Sequence, residues 1–156
     1  MLKWKMKKFT EFTTLEWYQI AKLRVDTFIV EQKCTYRDLD DYDQVSTHIF
    51  LQKNDQIVAY MRLIPSGNYY QEASLGRVIV KESERGFGYG RELLDKGVHH
   101  LTEQMGEQVV RIQAESYLKD LYESYGFQVI SEPYLEFNIW HVDMLLEKGD
   151  EHEVVS

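Results

Sequence analysis

One cysteine, two prolines and no long apolar run set the first limits on this chain of 156 residues. A lone Cys34 forbids any disulfide within the chain, which points away from export and towards a reducing, cytoplasmic compartment. So few prolines, with 44% hydrophobic residues, argue against disorder. The basic start "MLKWKMKKFTEF" has no apolar stretch of signal length, and nothing approaches the roughly 20 residues of a membrane span. No membrane partner is expected. Positive charge is scarce too: 18 Lys and Arg against 26 Asp and Glu leave a formal charge of −8. With no basic stripe carrying interleaved aromatics, nucleic acid is excluded as a partner, and a cationic substrate such as an amine is favoured. The length suits one domain, read here as residues 1–148 with a frayed tail at 149–156.

Local patterns divide the chain into short elements. Residues 2–9 alternate as a strand, and Thr13 followed by Glu16 forms a capping-box pattern ahead of a helix reaching about Gln32. "CTYRDLDDYDQ" reads as a solvated acidic loop whose Asp38, Asp40, Asp41 and Asp43 fail the spacing of a calcium loop. A sharper reading sets it beside an acceptor cleft, attracting a cation. "THIFLQK" and "QIVAYMRLI" flank Asn54-Asp55, a hairpin signal. "SLGRVIV" is a strand, and the next helix shows one apolar face through Leu94, Val98, Leu101 and Met105, with Gly106 as its C-cap. "QVVRIQAE" is a strand, "SYLKDLYESYG" a short helix ending at Gly126, and "FQVI" and "NIWHVDMLLEK" are strands. The order describes a mixed α/β sheet with helices on its faces. The crossover rule lays the helix 88–105 between parallel strands 75–81 and 108–115.

The most informative stretch is "LGRVIVKESERGFGYGRELLDKG", residues 75–97. Three glycines at alternate positions separate a strand from a helix. Glycine permits positive φ and close approach of a ligand. The first N–H groups of the helix lack internal partners and carry the positive end of its dipole. Together these make an anion pocket, with Arg85 and Arg91 as charged donors. The plainer alternative is a tight strand-to-helix turn holding nothing. Gly90 is followed by Arg91-Glu92, so the P-loop pattern fails. The dinucleotide fingerprint fails as well, because its third glycine would fall on Arg91. A nucleotide-binding domain is therefore disfavoured.

What fits is Arg/Gln-x-x-Gly-x-Gly/Ala, filled by Arg85, Gly88 and Gly90. It resembles the acyl-CoA pyrophosphate loop of the GNAT N-acyltransferase superfamily. "LRVDTFIVEQKCTYRDLDDYD", "HIFLQKNDQIVAYMRLI", "GRVIVKESERGFGYGREL" and "IQAESYLKDLYESYGF" are similar to the ElaA-like branch, over about Leu23 to Met144. The resemblance implies a GNAT fold with a mixed central sheet of six to seven strands and about four helices. It also implies acetyl-CoA as acyl donor, an amine acceptor and no metal. Pantetheine would pair with the main chain of Val78, Ile79 and Val80. Pyrophosphate would lie against Arg85, Gly86, Phe87, Gly88, Tyr89, Gly90 and Arg91.

Acyl transfer to an amine needs a neutral amine and a stabilised leaving thiolate. An alkyl amine, with a pKa of about 10.4, must lose a proton to a base. The resemblance makes Tyr122 the general acid, although the stripe Leu118, Leu121, Tyr122, Tyr125 would equally suit a core residue. Tyr125 reads as packing. Base candidates are Glu31, His48, Glu115, Glu136 and His141, with an ordered water chain as a further alternative. His141 and Glu31 are favoured for the acceptor side, His141 because its segment resembles the acceptor-lining late strand of the superfamily. Nothing marks Cys34 as an activated nucleophile, so direct attack in a ternary complex is expected rather than a thiol relay. A non-catalytic acyl-CoA-binding module on the same fold is the alternative function. Exposed aromatics such as Tyr69, Tyr70 and Trp140 leave a homodimer open.

Overall fold

The capping box forms as its sequence suggests. Thr13 Oγ1 accepts from Glu16 N at 3.1 Å, and Glu16 Oε1 accepts from Thr13 N at 2.9 Å, at the head of α1 (Thr14–Arg24). This computed structural model describes residues 1–33 and 36–148; Cys34 and the tail read at 149–156 lie outside the described residues. After Arg24 the helix widens into π-type turns over Val25–Glu31, closed by Gln32 N donating to Thr27 O at 3.1 Å.

β1 (Leu2–Lys8), β2 (Thr47–Lys53), β3 (Gln56–Ile64) and β4 (Ser74–Val80) form one antiparallel sheet in that order. Asn54 and Asp55 both have positive φ, the geometry of a two-residue hairpin turn. Both faces of this sheet are covered, so β2 and β3 are buried along most of their length. α1 and its π-type extension pack Ile20, Leu23 and Phe28 on one face against Phe50, Tyr60 and Ile79. On the other face α2 (Tyr89–His99) packs Leu93 and Leu94 against Ile49, Met61 and Leu63. α2 approaches β3 so closely that a Cβ at Gly97 would lie 2.3 Å from Met61 Sδ.

The second half forms a second antiparallel sheet. β8 (Ile139–Glu147) pairs with β5 (Val109–Glu115) on one side and with β6 (Gln128–Val129) and β7 (Tyr134–Glu136) on the other. Eight strands thus stand where six to seven were expected. They are divided into two sheets, and the described residues hold three α-helices, the first two running on into π-type turns, with four short 3₁₀ turns. The unanticipated strand is β7, whose turn into β8 places Phe137 and Asn138 at φ +51° and +63°.

β4 and β5 do run parallel, but they are not paired along their length. They join only at the bridge Ala73–Val110, where Arg111 N donates to Ala73 O at 2.8 Å. Beyond it they diverge. A bulge bends β4 there: Tyr60 faces Ile79 while Arg62 faces Gly76, which leaves one extra residue in β4. Arg77 occupies the bulge at φ +53°. The wedge between the two strands is the cleft described next.

Candidate active site

The cleft holds about 420 Å³, and its walls come from β4, β5, α3 and the β7–β8 hairpin. α3 (Lys119–Glu123) follows a 3₁₀ turn, Ser116–Leu118, that begins where β5 ends. It brings Tyr122 to the wall, 6% exposed, with its ring edge-on to Phe127 at 5.8 Å between centroids. The Tyr122 hydroxyl has no hydrogen-bond partner among the described residues. Burial, helped by the negative charge of Glu115, pushes its pKa up to about 12. Tyr125 instead donates to Asp95 Oδ1 at 2.6 Å on α2, as a packing residue would.

β-register gathers three of the candidate bases. His141 on β8 faces Glu115 on β5 and Tyr134 on β7. Such cross-strand neighbours have Cβ atoms about 5 Å apart. His141 Nδ1–H donates to Ile139 O at 2.8 Å, and the ring stacks on Tyr134 at 5.9 Å. That leaves the Nε2 lone pair free to accept a proton. Glu136 lines the same cleft and accepts from Gln113 Nε2.

Two other base candidates lie elsewhere. His48 is buried under Phe12 and Trp17. Its Nε2–H donates to Asp43 O at 3.0 Å, and its Nδ1 accepts from Tyr60 Oη at 2.5 Å. Burial pulls its pKa down to about 4 against the pull of the Asp43 carbonyl. Glu31 does not reach the cleft wall. At the end of the extended first helix it accepts from both Arg85 Nη atoms, at 3.0 and 3.1 Å.

The glycine turn adopts the conformation that its sequence demands. Gly86 and Gly88 have φ +92° and +84°, Gly88 is the N-cap of α2, and a Cβ on either would meet nothing within 4 Å. The first N–H groups of α2 have no partner within the helix. Gly90 is helical, and a Cβ there would make only ordinary contact with Val80 Cγ2 at 3.7 Å. Phe87 is exposed, with the Lys53 ammonium 5.9 Å from its ring, and it packs on Tyr89 at 5.8 Å. Arg91 stacks over Tyr125 at 5.0 Å, and Arg85 Nε donates to Val80 O at 2.9 Å. Val78 and Val80 pack against the α2-side core and Ile79 lies in the α1-side core. The strand edge facing β5 has no β-partner among the described residues beyond Ala73.

The acidic loop is not the solvated segment its composition suggests. Asp38 and Asp43 are 5% and 3% exposed. Arg24, wholly buried, donates to Asp38 Oδ2 at 3.0 Å and to Asp43 Oδ1 at 2.7 Å. Arg62 binds Asp40 and Asp43 at 2.6 and 3.0 Å, and Arg77 binds Asp38 at 2.9 Å. Three guanidiniums thus neutralise three carboxylates, and only Asp41 of the four stays exposed. Arg37 and Arg77, which sequence reasoning passed over, both line the cleft. The one local hint was a lone arginine inside an acidic string.

A split sheet, a bulged fourth strand and a glycine turn capping the next helix agree with a single family. Residues 17–148 match the family described as Acetyltransferase (GNAT) domain. The chain belongs to the GNAT family. It is 34% identical to protein ElaA of Escherichia coli strain K12, over 94% of this chain and 97% of that one. The crystal structure of E. coli ElaA superposes with a TM-score of 0.87, covering 94% of this chain and all of that chain. An acyl-CoA N-acyltransferase from Pseudomonas aeruginosa, 31% identical, superposes with a TM-score of 0.88 over 94% of this chain and 99% of its own. GNAT proteins use acyl-CoA as co-substrate, and this chain falls with the ElaA-like branch. Among the described residues no helix is long and apolar enough to cross a membrane.

Proposed function

We propose that residues 1–148 form one acyl-CoA-dependent N-acyltransferase domain, moving an acetyl group from acetyl-CoA to an amine by direct attack in a ternary complex. The observation that carries this reading is Tyr122, a buried ring at the cleft wall whose hydroxyl has no partner among the described residues. A phenol so placed can donate to a leaving thiolate in the cleft without first giving up a protein partner. The open space over Gly86 and Gly88 fits a pyrophosphate on the first N–H groups of α2. The unpaired edge of β4 fits an extended pantetheine arm, with the side chains of Val78, Ile79 and Val80 left in the core.

In this reading His141 Nε2 takes the proton of the attacking amine, with Glu115 across the strand pair stabilising the imidazolium. The role of Tyr122 follows from its pKa. At about 12 it stays a phenol at neutral pH. A thiol, near 8.5, gives a thiolate too weak by roughly three powers of ten to strip that proton fully. Tyr122 therefore acts chiefly by donating a strong hydrogen bond to the thiolate as it leaves. Glu31 has no place in proton transfer here; it holds Arg85 against the turn.

The test joins binding and turnover. CoA is expected to raise the melting temperature where ATP and NAD do not, and acetyl-CoA is expected to release thiol when a suitable amine is added. Stabilisation by CoA with no thiol release from any amine would overturn the enzymatic reading in favour of an acyl-CoA-binding module.

A further inference from the structure

The cleft is bipolar. On one wall Glu115 and His141 face each other across β5 and β8, and Glu136 stands nearby on β7. Among the cleft's other charged lining groups, Asp40, Arg62 and Arg77 belong to the arginine–aspartate pairs, which cancel one another and contribute no net charge. What remains there is Arg37, which lines the cleft and makes no hydrogen bond or ion pair among the described residues.

The backbone that follows Arg37 is held in place. Asp38, the next residue, is bound through both carboxylate oxygens and its carbonyl: Arg24 Nη2 donates to the carbonyl at 2.6 Å and Arg77 Nη2 at 3.0 Å. Asp40, two residues further, takes both Nη atoms of Arg62 at 2.6 and 3.2 Å. A guanidinium with no partner among the described residues thus extends from a backbone anchored on its C-terminal side, and its planar fork matches planar anions such as carboxylates. With about 420 Å³ to share with the acyl end of the donor, the cleft suits a small molecule rather than a protein segment.

We infer that the acceptor is a small amino-carboxylate, of the class of free amino acids, with its amine at the Glu115–His141 wall and its carboxylate on Arg37. This rests on the acyl-transfer reading above. It extends that reading by naming what the far end of the acceptor must carry.

The experiment uses the full chain with saturating acetyl-CoA, and the common free amino acids beside their C-terminal amides. For at least one amino acid, kcat/KM for thiol release should exceed that of its amide by roughly ten- to a hundredfold, the range of one charge-assisted hydrogen-bonded pair. Arg37→Gln should collapse that ratio towards one while the melting temperature stays near wild type. The same pairs are titrated calorimetrically onto the CoA-bound protein, where the free acid should bind more tightly than the amide. If acids and amides react and bind alike, or if Arg37→Gln leaves the ratio intact, the inference is overturned. If acids bind preferentially but no thiol is released, the acyl-transfer reading falls while the carboxylate site stands.

Discussion

Tyr122 and His48 show two fates for a buried polar ring. Tyr122 lines the cleft with a hydroxyl that has no partner among the described residues, which is what the proposed role uses. Tyr122→Phe removes only that oxygen. It is expected to lower kcat about a hundredfold with little change in the KM for acetyl-CoA, measured by initial thiol-release rates. His48 has both nitrogens satisfied inside the α1-side core and serves structure. Its pKa of about 4 lies below the ordinary 6.5, so the unfolded chain binds a proton that the folded chain refuses. The stability this contributes is complete above pH 6.5 and is lost as pH falls towards 4, at up to roughly 1.4 kcal/mol per pH unit. Urea unfolding at pH 7.5, 6 and 5 should show this slope in the wild type and a shallower one in His48→Gln.

At the scale of the element, the head of α1 is tied down by one carboxylate. Glu16 is buried; burial alone would raise its pKa, but Lys7, the Thr13 N–H and Lys5 outweigh it and hold it at about 2. A depressed carboxylate stabilises above its unfolded value near 4.3 and loses that contribution as pH falls through 2. Glu16→Ala is expected to cost about 1–2 kcal/mol at pH 7 by chemical denaturation, with the gap from wild type closing between pH 4.3 and 2. This helix start was legible because Thr13 and Glu16 are near neighbours, and the Asn54-Asp55 turn was legible for the same reason. β7 was not: its turn puts Phe137 at positive φ, which a bulky side chain disfavours, and only Asn138 hinted at it. The acidic loop was misread for a different cause. The partners of Asp38, Asp40 and Asp43 lie 14 to 39 positions away along the chain, where composition shows only charge. The base candidates divided likewise: strand register joins His141 to Glu115, while Glu31 turns to Arg85 at the end of a helix whose widened turns no local pattern announces.

Across the whole molecule, one divided sheet organises everything. The bulge in β4 opens the cleft, and the arginine–aspartate network stitches α1, the acidic loop, β3 and β4 together at its base. Breaking such a network from one side is costlier than replacing it, because it strands charge in the interior. Asp43→Asn leaves Arg24 and Arg62 short of a shared carboxylate and is expected to cost about 3–5 kcal/mol in chemical denaturation. The net charge of −8 adds a long-range pull on cationic amines that salt would weaken. Catalysis at this cleft is tested most directly by the initial rate of thiol release from acetyl-CoA, with and without amine acceptors. Acyl transfer at the cleft requires an acceptor-dependent rate that falls about a hundredfold in Tyr122→Phe. A rate that no amine raises, or one that Tyr122→Phe leaves intact, would contradict it.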